Sequence, residues 1–140
     1  SFRQVFESIK DFKNSKNKTI TVFGCTGGGR DKWKRPEMGK IAAQNSDFII
    51  LTNDDPYNED PQEIIDDIMV GIEAAEFSKM NIFQISDRRL AIRQALKLVK
   101  QNDLVLILGK GSETTQIIGD KPIPWNDKKV VQEELKLLKT

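Results

Sequence analysis

The chain has 140 residues, enough for one core and short for two, and its 22 Lys and Arg stand against 21 Asp and Glu. That balance excludes a single-signed field drawing the whole chain onto nucleic acid or an acidic bilayer, so any anion site must be local. One cysteine and no histidine exclude an internal disulfide framework, leave a structural zinc site without its usual ligands, and keep histidine out of the chemistry. No apolar run nears the ~18 residues of a membrane span, no signal-peptide layout opens the chain, and a cytoplasmic setting is the default expectation.

Residues 1–13 place Phe2, Val5, Phe6, Ile9 and Phe12 on one helical face, suited to packing on a sheet. A first strand follows at 19–24, then a helix over 35–45 with Pro36 in its opening turn, where a missing N–H costs little. Residues 47–53 read as the second strand. The helix over 60–75 has Asp60 as N-cap, Pro61 at its first position and Glu63 as the acid of a capping box. A third strand at 81–86 leads into a helix over 86–101, capped by Ser86 or Asp87, with Leu90, Ile92, Ala95, Leu96 and Val99 inward. The fourth strand is 103–109, the weaker segment 114–119 reads as an antiparallel edge strand, and 126–139 closes as a helix capped by Asn126 or Asp127. The four strong strands are near-continuous apolar runs, as expected where both faces are covered. The pattern predicts an α/β, Rossmann-like three-layer domain: a mostly parallel sheet, helices on both faces, and one antiparallel edge strand. Such domains usually open on a strand, whereas this chain opens in a helix, so a strand is expected upstream.

The glycines of "GCTGGGRDK" follow the first strand directly. Successive N–H groups in such a turn can form an anion-binding nest, while the bland reading is a sharp loop at a strand end. Neither the Walker pattern nor the G-x-G-x-x-G dinucleotide fingerprint fits it. In open parallel sheets the ligand crevice lies beyond the carboxyl ends of the strands, where "GCTGGGRDK", "TNDDPYNEDP" and "GKGSE" all fall. Arg30 can fork onto a carboxylate, Asp54 or Asp55 can hold an ammonium, and Glu113 can supply a second acceptor, which together suit a zwitterionic amino acid.

These three loops, with the pair Asp87–Arg88 and the closing segment "IPWNDKKVVQEEL", resemble the carboxyl-terminal domain of the Mur ligases of the MurE type, the UDP-N-acetylmuramoyl-tripeptide synthetases. The likeness covers nearly the whole chain. It implies an ATP-dependent, ADP-forming ligase of peptidoglycan synthesis that adds a third amino acid, usually a diamino acid, to UDP-N-acetylmuramoyl-L-Ala-D-Glu. ATP and Mg2+ would be bound mainly outside this chain, with no metal and no catalytic residue within it. The partners implied are the amino acid, the muramoyl dipeptide and the enzyme's own N-terminal and central domains, with no nucleic acid and no membrane. The family's domain opens with a strand and an Asp-Tyr-Ala-His-type loop, and Ser1 resembles the residue ending that loop. Residues 1–140 are thus expected to be this domain without its first strand and its two companion domains, and to catalyse nothing alone.

The resemblance assigns Arg30 to the incoming carboxylate, Gly109 and Glu113 to amino-acid contacts, and Asp55 and Tyr57 to the specificity motif. Enzymes taking meso-diaminopimelate read Asp-Asn-Pro-Arg there, and this chain reads "DDPY". A tyrosine cannot neutralise a distal carboxylate, and Asp55 adds negative charge, so a lysine-like side chain is expected over meso-diaminopimelate. Lys32, Lys34 and Arg35 could supply a cation instead, or meet phosphates of ATP or the UDP-linked substrate. Ser112 stands where the family has histidine, and Gly27 to Gly29 form the turn that brings backbone to the ligand. Cys25 reads as a small buried residue, since no histidine exists to activate it. Trp33 and Trp125 read as packing residues. Two rival readings are a stand-alone amino-acid-binding module without catalysis and another ligase of the Mur superfamily.

Overall fold

A computed structural model describes residues 1–29, 31–111 and 113–139. Among the described residues, five α-helices and six strands run in the order α1 (Phe2–Ser8), β1 (Thr19–Phe23), α2 (Lys34–Asn45), β2 (Phe48–Leu51), α3 (Pro61–Ala74), β3 (Ile82–Gln84), α4 (Arg88–Leu98), β4 (Leu104–Ile107), β5 (Thr115–Ile118), β6 (Lys121–Pro124) and α5 (Asp127–Leu138). The four expected strands form one all-parallel sheet in the order β3-β2-β1-β4. The chain therefore reverses its direction of travel across the sheet between β1 and β4.

The two faces of the sheet follow from side-chain alternation along β1 and β2. Phe23, Ile49 and Leu51 pack with Ile64, Ile65, Ile68 and Ile72 of α3 and Ala42 of α2, while Ile20, Val22 and Ile50 meet Ala91 and Ala95 of α4. On the first face α2 and α3 cross at backbone distance, because Gly39 and Gly71 present no side chain. A Cβ on Gly71 would overlap the Pro36 carbonyl oxygen, and one on Gly39 the Ile68 carbonyl oxygen. On the second face α5 lies against α4, joined by Arg89 and Arg93 to the buried Glu134.

The predicted N-cap residues of α3, α4 and α5 all cap, although no described hydrogen bond of the Glu63 side chain completes the capping box expected at α3. Asp60 accepts from the Gln62 N–H, Asp87 from the Leu90 N–H and Asn126 from the Lys129 N–H. Three details differ from expectation. Phe12 is 66% exposed, because α1 stops at Ser8 and the tighter turn over Lys10–Phe12 rotates its ring off the helix's apolar face. Leu90 is also exposed: the inward stripe of α4 runs through Ala91, Ile92 and Ala95, whose small members let the helix lie close to the sheet. The antiparallel segment is not an edge of the parallel sheet. It pairs as β5 with β6 in a separate hairpin, Thr115 opposite Pro124 and Ile118 opposite Lys121. The β6 segment "KPIP" was invisible to strand patterning, since its two prolines cannot donate to a ladder and proline is tolerated only at an edge.

Candidate functional site

The three loops converge at the carboxyl edge of the parallel sheet. A cavity of about 270 Å³ opens there, lined by Gly24, Cys25 and Thr26 after β1, Asp54 after β2, Gly109 after β4, and Asp31, Lys34, Arg35 and Met38 at the start of α2. Its walls thus include the ends of β1 and β4, the two strands between which the chain switches direction, which is where open α/β sheets place ligands. Gly109 has φ +109°, and a Cβ there would come within 2.7 Å of Asp54 Oδ2, so a bare backbone is what lets this carboxylate sit at the cavity wall.

Asp54 is 7% exposed. Burial pushes its carboxyl up to about 6, while Arg88 and Lys110 pull it back towards the ordinary range. Of the predicted site residues, Asp54, Gly109, Lys34 and Arg35 line the cavity; Asp55, Tyr57, Glu113 and Lys32 are not part of its wall. Arg30 and Ser112 lie outside the described residues.

Asp55 departs from its predicted role as a free acceptor. Its Oδ1 accepts from Lys110 Nζ at 2.6 Å and from the Ile117 N–H at 2.9 Å, and its carbonyl accepts from the Gly27 N–H at 2.7 Å. Asp55 therefore ties the glycine loop, the β5 hairpin and the loop after β4 together. Lys110, with no exposed side chain, lies 2.6 Å from Asp55, 3.2 Å from Glu113 and 3.7 Å from Asp54. Burial alone would lower its pKa, but hydrogen bonds to Asp55 and Glu113 carry it above its ordinary value. These carboxylates were expected to hold a substrate ammonium; the ammonium that lies among them here is the chain's own Lys110 Nζ.

Arg35 likewise departs from a phosphate-contacting role. It is 1% exposed, forks onto Glu59 at 2.6 and 3.0 Å, and reaches Asp67 at 2.9 Å and the Thr26 carbonyl at 3.2 Å. The pair holds the Glu59 carboxyl down at about 2. Glu59 also accepts from the Gly29 N–H at 3.1 Å, so the buried clamp reaches the glycine loop beside Arg30. Lys32 and Lys34 stay largely exposed, 3.9 Å from Glu59 and 3.5 Å from Asp31. Tyr57 takes a left-handed backbone, φ +54°, fixed by the Tyr57 N–H donating to Ile117 and its carbonyl accepting from Gly119; its ring lies against Gly28. Cys25 is buried as expected, which pushes its thiol up to about 12. Trp125 packs and donates to Asp127, whereas Trp33 is 70% exposed beside Lys34.

Arg88 is the second central residue that sequence reading left without a role. Its buried guanidinium forks onto Asp127 at 2.8 and 2.9 Å and donates to the carbonyls of Asn53 and Leu108. It thereby locks the start of α5 to the loops after β2 and β4. Its signals in the sequence were its place beside the N-cap Asp87 and the Asp87–Arg88 pair shared with the family the chain resembles.

Fold and cavity together define a doubly wound α/β domain with a small, charged crevice at its switch point. The chain belongs to the Mur ligases: the family described as Mur ligase, glutamate ligase domain, matches residues 1–111. It is 47% identical over 133 residues to a UDP-N-acetylmuramoyl-L-alanyl-D-glutamate--2,6-diaminopimelate ligase of Prochlorococcus marinus subsp. pastoris, covering 95% of this chain and 25% of that protein. A ligase of the same name from Syntrophomonas wolfei subsp. wolfei is 48% identical over 121 residues, covering 86% and 24%. A solved structure bearing that ligase name superposes with TM-score 0.87 at 32% identity, covering 99% of this chain and 27% of the other. The chain thus spans about a quarter of the length of these relatives.

Proposed function

We propose that this chain is the amino-acid-binding domain of an ATP-dependent, ADP-forming ligase that joins a diamino acid to UDP-N-acetylmuramoyl-L-Ala-D-Glu in the cytoplasm. The observation carrying this reading is the cavity at the switch point, walled by Asp54 and Gly109 and bordered by the glycine loop that leads to Arg30. In this reading Arg30 holds the incoming carboxylate, Asp54 faces an ammonium, Gly109 and Glu113 complete the contacts, and Lys32 and Lys34 face phosphates across a domain cleft. The described residues include no group of three or more His, Cys, Asp or Glu that could hold a metal ion. Magnesium and ATP are assigned to the parent's other domains because the resemblance to the Mur ligases implies it, and there ATP would activate the glutamyl carboxylate for attack by the amine. This domain's own task is to bind and orient that amine.

The identity of the amino acid turns on charge. Counting "DDPY" as surplus acid favours lysine or ornithine, but Lys110 already matches Asp55, which weakens that count. The relatives named above are diaminopimelate ligases. The proposal is for a diamino acid, and the assay that tests it is ADP release by the full-length protein with UDP-muramoyl dipeptide and lysine, ornithine or meso-diaminopimelate. Stimulation by any one of them is the expected result; no stimulation by any, with ATP and dipeptide saturating, would leave a binding module without catalysis.

The Arg35–Glu59 clamp adds a second expected result. Glu59→Gln removes the charge holding Arg35 and weakens the acceptor of the Gly29 N–H, loosening the loop that leads to Arg30. The amino-acid KM should rise about tenfold while the ATP KM stays within about twofold, since one charge-assisted contact is lost on one side of the site. A parallel rise in both constants would assign Glu59 to the general fold instead.

A further inference from the structure

Lys110 has no exposed side-chain surface, so it cannot itself touch a substrate, yet its Nζ is 3.7 Å from Asp54, the buried carboxylate of the cavity wall, Asp31 being the exposed one. We propose that Lys110 is a positioning residue that keeps Asp54 charged and in place, so that the incoming amino acid's ammonium meets an anion at the cavity wall. This rests on the ligase reading above and adds to it the residue through which the ammonium-binding group is controlled.

The inference follows from crowding. Asp54, Asp55 and Glu113 all lie within 3.7 Å of one ammonium. Asp54 and Asp55 are buried and Glu113 is half exposed, and carboxylates this close resist ionising together unless a cation lies among them; burial has already pushed the Asp54 carboxyl up. Gly109 and Lys110 are adjacent, so the backbone that leaves room for Asp54 Oδ2 also delivers the ammonium to its Oδ1. Other charged groups act on Asp54. Arg88 from α4 favours its ionised form, and neighbouring Asp55 and Glu113 of the loop after β4 oppose it. Asp31, Lys34, Arg35 and the Cys25 thiol share the cavity, but Arg35 is held by Glu59 and Asp67 and Lys34 lies by Asp31. Lys110 is therefore the cation that links Asp54 to the rest of the acidic cluster.

The test is the pH dependence of kcat/KM for whichever diamino acid the full-length protein uses, compared with Lys110→Met, Lys110→Arg and Asp54→Asn. In the wild type the value should fall below pH about 6, where Asp54 becomes neutral and can no longer hold an ammonium. Lys110→Met should move this inflexion up by one unit or more, and raise the amino-acid KM about tenfold near neutral pH with the ATP KM unchanged. Lys110→Arg should restore the wild-type inflexion, and Asp54→Asn should abolish it. A folded Lys110→Met enzyme with the wild-type profile overturns the proposal. Should Lys110→Met not fold, Asp55→Asn carries the test: it removes a like charge and frees Lys110 towards Asp54, so the inflexion must move down, and an unmoved one overturns the coupling. A wild type that turns over no diamino acid sinks the ligase reading itself, a result distinct from either of these.

Discussion

Replacing Arg88 with methionine is expected to destabilise this chain by about 4 kcal/mol, read from urea unfolding followed by circular dichroism. The side chain is 2% exposed and makes four hydrogen bonds, two to Asp127 and one each to the carbonyls of Asn53 and Leu108. Methionine matches much of the volume but donates nothing, leaving Asp127 buried with, among the described residues, only the Trp125 indole N–H as a side-chain donor. Removing one partner of a buried pair costs far more than the pair contributes, because the remaining charge has no water to return to. Arg3→Met is the control. Arg3 and Glu37 are both more than half exposed and 4.0 Å apart, so the change should be within about 0.5 kcal/mol. A loss below about 1 kcal/mol at Arg88 would show that its network is replaceable by packing alone.

The largest functional effect is expected at Arg30. In the full-length protein, Arg30→Ala should raise the amino-acid KM about 100-fold, equivalent to about 2.7 kcal/mol, while the ATP KM changes no more than about twofold. A forked guanidinium makes two charge-assisted bonds to a carboxylate, and neither has a substitute in an alanine side chain. Arg30→Lys should recover only part of the loss, since a point charge does not reproduce the fork. If amino-acid affinity were unchanged in Arg30→Ala, the carboxylate would be held elsewhere, with exposed Lys34 in the cavity wall as the next residue to test.

The strands were legible for a simple reason. A parallel strand covered on both faces reads as an unbroken apolar run, and β1 is buried along its whole length. The hairpin was half legible: β5 carries β-branched residues, whereas β6 is two prolines, a lysine and an isoleucine, and its pairing is set by the turn at Gly119 and Asp120. Phe12 and Leu90 were misplaced because helical phase was extended past the point where α1 ends and across a stripe that the sheet, not hydrophobicity alone, selects.

The candidate site divides along the same line. The loop positions, the glycines, the acids and the cations that make up the crevice are properties of the sequence, because strand ends are fixed by local pattern and ligand loops follow strand ends. Which cation meets which acid was decided only in three dimensions. Lys110 and Asp55 are 55 positions apart, and Arg35 and Glu59 are 24 apart. Partners at such separations are chosen by the crossing of backbones, and those backbones are brought together by contacts between elements that no local window contains. Residues that looked equally available as a row of charges were thereby separated: Asp54 lines the cavity while Asp55 is hydrogen-bonded to buried Lys110, and Lys34 stays exposed beside Asp31 while Arg35 is buried and clamped on Glu59.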